Sequence, residues 1–95
     1  MTALTHEQIQ KTLAQLPGWT FEQDYLKKTF AFKSFPEAIS FIVRLSFYAE
    51  EMDHHPELFN VYNKVDIALR THDAGNKVTQ KDIDLALAIE SVSWV

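Results

Sequence analysis

The sequence contains no cysteine, which excludes a disulfide framework and a thiolate metal cage, so packing alone must hold the fold. Glycine occurs only at Gly18 and Gly75. That is too few for a Gly-rich phosphate loop, and no Gly-x-Ser-x-Gly elbow supports a serine hydrolase. Basic residues are in the minority: nine Lys and Arg against thirteen Asp and Glu leave a net charge of -4. This balance opposes attraction to nucleic-acid backbones and anionic lipid surfaces, so neither nucleic acid nor membrane is expected as a partner. No stretch approaches the roughly 20 apolar residues that span a bilayer. The start, MTALTHEQIQ, has neither a basic leader nor the apolar run of a signal peptide. The expectation is a soluble, cytoplasmic protein.

Hydrophobic residues, by contrast, make up 46% of the 95 positions, with seven Phe, three Tyr and two Trp. That is enough for one core, and residues 1–95 are expected to form a single domain. A domain this small buries a limited share of its surface, so self-association would add burial.

Thr5 with Gln8 forms a capping-box pattern, and Ile9, Leu13 and Leu16 repeat at helical spacing up to Pro17-Gly18. In WTFEQDYLKKTFAFKSF, aromatic and Thr residues flank Gln23-Asp24, and Phe30 and Phe32 alternate with Thr29, Ala31 and Lys33. Two strands joined by a tight turn are predicted. Ser34 with Glu37 is a second capping box with Pro36 in the first turn, and Ala38, Phe41, Ile42, Leu45, Ala49 and Met52 make one apolar stripe of a long helix. Ile39, Val43 and Phe47 make a second apolar line on roughly the opposite side. A helix apolar on two faces needs its own sheet and a further partner.

After Pro56, LFNVY and VDIALRT read as strands around an Asn63-Lys64 hairpin turn, and DAGNK reads as a loop. Thr79 with Asp82 caps a last helix along Ile83, Ala86, Leu87 and Ile89 towards Trp94. The order αββαββα uses hairpins rather than crossovers, so the expected class is α+β: a four-stranded antiparallel sheet with helices packed on one face.

His54, His55 and His72 are three of the four histidines. The first two fall at the C-terminal end of the long helix, where exposed carbonyls favour a protonated imidazole and Glu50, Glu51 and Asp53 lie close in sequence. His72 falls where the fourth strand ends, so three imidazoles can converge on one cleft. The same residues have a plainer explanation: histidine before proline is an ordinary helix stop, and His72 can be a surface residue. Likewise Tyr62 can pack on the sheet or present its hydroxyl to the cleft, and Asp82 is accounted for as a capping partner. Spacing alone leaves both readings open. Support for a metal is weak, since no His-Glu-x-x-His run or cysteine pair is present.

The set Glu50-x-x-x-His54-His55-Pro56, then Tyr62, Thr71-His72 and Asp82 closely resembles the signature of the pterin-4a-carbinolamine dehydratases, and the similarity runs from Trp19 to Ile89. The resemblance implies a four-stranded antiparallel sheet covered by helices and removal of water from a 4a-hydroxytetrahydropterin. The product is the quinonoid dihydropterin, which is later reduced for reuse by aromatic amino acid hydroxylases. No metal or organic cofactor is implied. It further implies His54, His55 and His72 as catalytic residues, with His54 and His72 as acid and base and His55 holding the pterin. Glu50, Asp53, Pro56, Tyr62 and Asp82 are the supporting positions. The chain departs from the pattern at Leu58, where family members often carry an aromatic residue, and in a slightly long loop between His72 and Asp82.

Two other functions compete. The resemblance also covers members that dock onto other proteins, including a transcription factor dimerisation domain, so a regulatory partner is one alternative. A metal-dependent hydrolase is the other, and it predicts activity lost to chelators. The Ile39, Val43, Phe47 line is expected to join copies of the chain into a homo-oligomer.

Overall fold

The computed structural model describes residues 2–95. Helix α1 spans His6–Leu13, and both halves of its capping box form between Thr5 and Gln8. Helical bonding stops short of Leu16. Tighter bonds carry the chain on, from Gln15 N–H to the Thr12 carbonyl and from Leu16 N–H to the Leu13 carbonyl, before Pro17. Strands β1 (Thr20–Glu22) and β2 (Tyr25–Ala31) meet at Gln23 and Asp24, both at positive φ. This is the backbone a two-residue hairpin demands of whichever residues occupy it.

Helix α2 runs Phe35–Glu51 with Ser34 as N-cap. Only half of the expected capping box forms. The Ser34 hydroxyl accepts from Glu37 N–H, but the Glu37 carboxylate accepts from Lys33 N–H and from the indole of Trp94. Strands β3 (Glu57–Val61) and β4 (Lys64–Leu69) follow, then a single 3-10 turn at His72–Ala74 and helix α3 (Gln80–Val92). The second hairpin turns one residue earlier than expected, at Tyr62-Asn63, because Lys64 pairs with Val61. The Asn63 amide donates to the Phe32 carbonyl at 2.8 Å, and Phe32 N–H donates back to the Asn63 carbonyl. These two bonds tie the turn to the end of β2 and outweigh the preference of Asn for positive φ, which Tyr62 takes instead.

The sheet is antiparallel throughout, in the order β1-β2-β4-β3. Leu26 and Phe30 of β2 and Val65, Ile67 and Leu69 of β4 point to one face. There they form one core with Ala38, Phe41, Leu45 and Ala49 of α2 and Ile83, Leu85, Ala86 and Ile89 of α3. Phe41 sits 4.8 Å from Phe30 and 4.9 Å from Phe32 between ring centroids, which locks α2 onto the central strands. The expected α+β arrangement is therefore present, with helices on one face and Lys27, Thr29, Phe59 and Val61 on the other. Ile39, Val43 and Phe47 lie on the outer side of α2, and Phe47 is 70% exposed. Among the described residues no helix is long and apolar enough to cross a membrane.

Candidate active site

The end of α2 sets the geometry. Asp53 takes φ 50, a left-handed conformation usually given to glycine. Its N–H bonds to the Glu50 carbonyl and His54 N–H bonds to the Ala49 carbonyl at 3.0 Å. This pairing closes the helix with a left-handed cap and reverses the chain. His54 is thereby turned inward, and His55 outward.

His54 is 8% exposed and meets Asp82, which is 0% exposed at the start of α3. Its Nε2 lies 2.5 Å from Asp82 Oδ1. The other carboxylate oxygen accepts from Thr79 N–H at 2.8 Å and from the Thr71 hydroxyl at 2.9 Å. The Thr79 hydroxyl accepts from Lys81 N–H and stands 2.7 Å from Thr71 Oγ1. With Thr71 donating to Asp82, the Thr79 hydroxyl donates to Thr71, and every donor in the network has one acceptor. The hydrogen between His54 and Asp82 then belongs to Nε2 of the imidazole. Asp82 is thus both the capping partner expected from spacing and the orienting acceptor for His54.

The other two histidines follow the same pattern with different acceptors. His55 Nε2 donates to Glu50 Oε1 at 2.9 Å on the surface. His72, the first residue of the 3-10 turn, has Nδ1 3.1 Å from Asn76 Oδ1. Each ring is held by one nitrogen, and the remaining nitrogen has no protein partner among the described residues. Among the described residues no buried side-chain nitrogen or oxygen goes unpaired, so the free His54 Nδ1 reaches solvent.

All three imidazoles line one cleft of about 260 Å³, together with Asp53, Arg70, Thr71, Asp73 and Lys81. A larger concavity of about 410 Å³ lies on the open sheet face between Lys27, Thr29, Phe59 and Asp66. It holds no imidazole, so the smaller cleft is the better seat for proton transfer. Beside it, Arg70 stacks over Tyr25 with 4.0 Å from the guanidinium carbon to the ring centroid. The interaction with the nearby Glu57 carboxylate holds the Tyr25 phenol above its ordinary range, with desolvation adding to this and the Arg70 charge opposing it.

Of the residues expected at the site, His54, His55, His72, Glu50, Asp53 and Asp82 come together. Asp53 shapes the turn through its backbone, and its carboxylate makes no hydrogen bond to a histidine. Pro56 separates His55 from β3. Tyr62 is the exception. It occupies the hairpin turn at the far end of five-residue β3, about 20 Å from Pro56 at ~3.3 Å per residue, so within one chain its hydroxyl does not reach the cleft. Asn76 holds His72 without having stood out as a site residue, and Thr71, which the signature places beside His72, braces Asp82 rather than a histidine. Thr79, read only as a helix cap, belongs to the same network. The DAGNK composition signals a loop, and nothing in it distinguishes an imidazole acceptor from an ordinary turn asparagine.

A family model described as pterin 4 alpha carbinolamine dehydratase matches residues 2–92. A protein from Opitutus terrae named "Putative pterin-4-alpha-carbinolamine dehydratase" is 54% identical over 94 residues, covering 99% of this chain and 97% of its own length. One of the same name from Sulfolobus acidocaldarius is 43% identical over 94% of this chain and 97% of its own length. A crystal structure of a transcriptional coactivator/pterin dehydratase from Brucella melitensis superposes with a TM-score of 0.90 at 38% identity, covering 95% of this chain and 97% of that one. With its fold and nearly its whole length matched, the chain belongs to the pterin-4-alpha-carbinolamine dehydratases, a family of enzymes.

Proposed function

We propose that the protein removes water from a 4a-hydroxytetrahydropterin to give the quinonoid dihydropterin, by histidine acid–base catalysis in this cleft. The observation that carries the reading is that each of three imidazoles in one cleft is anchored by one nitrogen and open at the other. Hydroxide is a poor leaving group. The bond from C4a to its oxygen breaks with the electron pair passing to oxygen, which must take a proton to leave as water. The electrons of a ring N–H bond form the carbon–nitrogen double bond as that proton passes to a base.

The anchoring partners divide these tasks. With Nε2–H donated to the Asp82 carboxylate, a second proton at Nδ1 gives His54 an imidazolium beside a compensating buried anion. His54 is therefore assigned as the acid. His72 is bound to a neutral amide and keeps Nε2 free, which suits the base. His55, exposed and tied to Glu50, holds the pterin. One proton leaves His54 and one arrives at His72 in each turnover, and exchange with solvent restores both. The Asp53 and Pro56 turn keeps the two adjacent histidines pointing apart.

Replacing His54 and His72 together with alanine tests this. Turnover of 4a-hydroxytetrahydropterin by the folded double variant is expected to fall by roughly 10²- to 10⁴-fold, and near-normal turnover would rule the assignment out. The wider role is recycling of tetrahydropterin for aromatic amino acid hydroxylation in the cytoplasm, without a metal.

Copies of the chain are proposed to associate through Ile39, Val43 and Phe47, whose exposure leaves an apolar line on α2 uncovered. The same line supports a second reading, a regulatory docking role, which the name of the Brucella melitensis protein also suggests.

A further inference from the structure

The loop after β4 is closed with unusual economy. Thr71 N–H donates to the Lys77 carbonyl at 2.8 Å, bringing the two ends together. Between them the chain passes through the 3-10 turn and then two successive left-handed residues, Gly75 at φ 73 and Asn76 at φ 60. The N–H groups of both return to the His72 carbonyl, at 3.1 and 3.3 Å. Asparagine tolerates this conformation better than most side chains. Here the conformation sets its amide oxygen 3.1 Å from His72 Nδ1.

We infer that Asn76 is a positioning residue that holds His72 in the Nδ1–H tautomer and so leaves Nε2 as its unprotonated, basic nitrogen. The inference rests on the dehydratase reading for its meaning, but not for its test. A histidine side chain free in water favours the opposite tautomer, with the hydrogen on Nε2. The hydrogen bond made by one ring nitrogen decides which nitrogen remains basic. A carbonyl oxygen at Nδ1 can only accept, so it selects Nδ1–H. The backbone clasp also matters because Thr71 closes the loop and donates to Asp82. His72 and His54 therefore share one frame, and the base is set relative to the acid.

The test is nitrogen-15 NMR of the imidazole nitrogens in the whole labelled protein, with His72 signals assigned by their loss in His72→Gln. Wild type is expected to show the Nδ1–H form at His72. Asn76→Gly accepts φ 60 without strain and is expected to shift the ring towards Nε2–H, lowering kcat roughly 3- to 10-fold with KM nearly unchanged. Asn76→Asp keeps an acceptor oxygen and is expected to retain the Nδ1–H form. A wild-type His72 in the Nε2–H form, or an Asn76→Gly spectrum identical to wild type, overturns the inference whether or not the protein dehydrates pterins. Failure of all variants and wild type to turn over the carbinolamine, with the tautomer as expected, would instead count against the dehydratase reading alone.

Discussion

Asp82→Asn is a near-isosteric change whose cost can be worked from three hydrogen bonds. The carboxylate accepts from Thr79 N–H and Thr71 O–H on one oxygen and from His54 Nε2–H on the other. Asparagine has a single acceptor oxygen. If that oxygen keeps Thr79 and Thr71, the amide NH2 faces the His54 N–H, and two donors oppose each other in a site with no water-facing exit at residue 82. An unsatisfied buried donor costs about 1–3 kcal/mol. At about 4–8 °C per kcal/mol for a domain of this size, Tm should fall by roughly 5–20 °C. The alternative is a flipped His54 tautomer, which relieves the clash but moves the ring hydrogen to Nδ1 and leaves any charged imidazole without its anion. Either route predicts a kcat loss of about 10²-fold or more. Thermal unfolding at fixed protein concentration and turnover of the carbinolamine measure the two effects. Thr71→Val is the comparison: it disturbs the same network and should lower Tm, yet it leaves His54 bound to Asp82 and should cost much less activity. An Asp82→Asn protein within about 0.5 kcal/mol of wild type and nearly as active would refute the reasoning.

Two further outcomes follow from other parts of the molecule. Phe47→Glu, placing a charge in the exposed apolar line of α2, should convert an oligomer to a lower state in sedimentation. A wild-type chain that sediments as a monomer would remove the basis for that interface. In alkaline ultraviolet titration Tyr25 should ionise above the ordinary tyrosine value of 10.0, because the nearby Glu57 carboxylate favours the neutral phenol. Glu57→Gln should bring it down, leaving Arg70 to favour the phenolate, whereas a Tyr25 that titrates at or below the ordinary value would contradict the contact.

Local chemistry made much of the fold legible in the sequence. Thr5 and Gln8, Ser34, and Thr79 and Asp82 marked three helix starts, and the two apolar lines of α2 separated into a buried set and an exposed set. Long-range competition accounts for what was not legible. Glu37 does not complete its capping box because Trp94, far along the chain, takes part of its carboxylate. The second hairpin turns at Tyr62 rather than beginning at Asn63 because Asn63 is needed at Phe32. At the site, the histidines were readable as a spacing pattern, but their partners were not. A capping Asp looks the same in sequence whether or not an imidazole lies against it, and a loop Asn carries no mark of the tautomer it selects.

Whether this cleft dehydrates a pterin carbinolamine is read from stopped-flow ultraviolet absorbance of freshly generated 4a-hydroxytetrahydropterin, with and without catalytic amounts of chelator-treated protein. The expected result is clear acceleration of decay to the quinonoid form, undiminished by the chelator. A decay rate unchanged by folded protein would contradict the dehydratase reading.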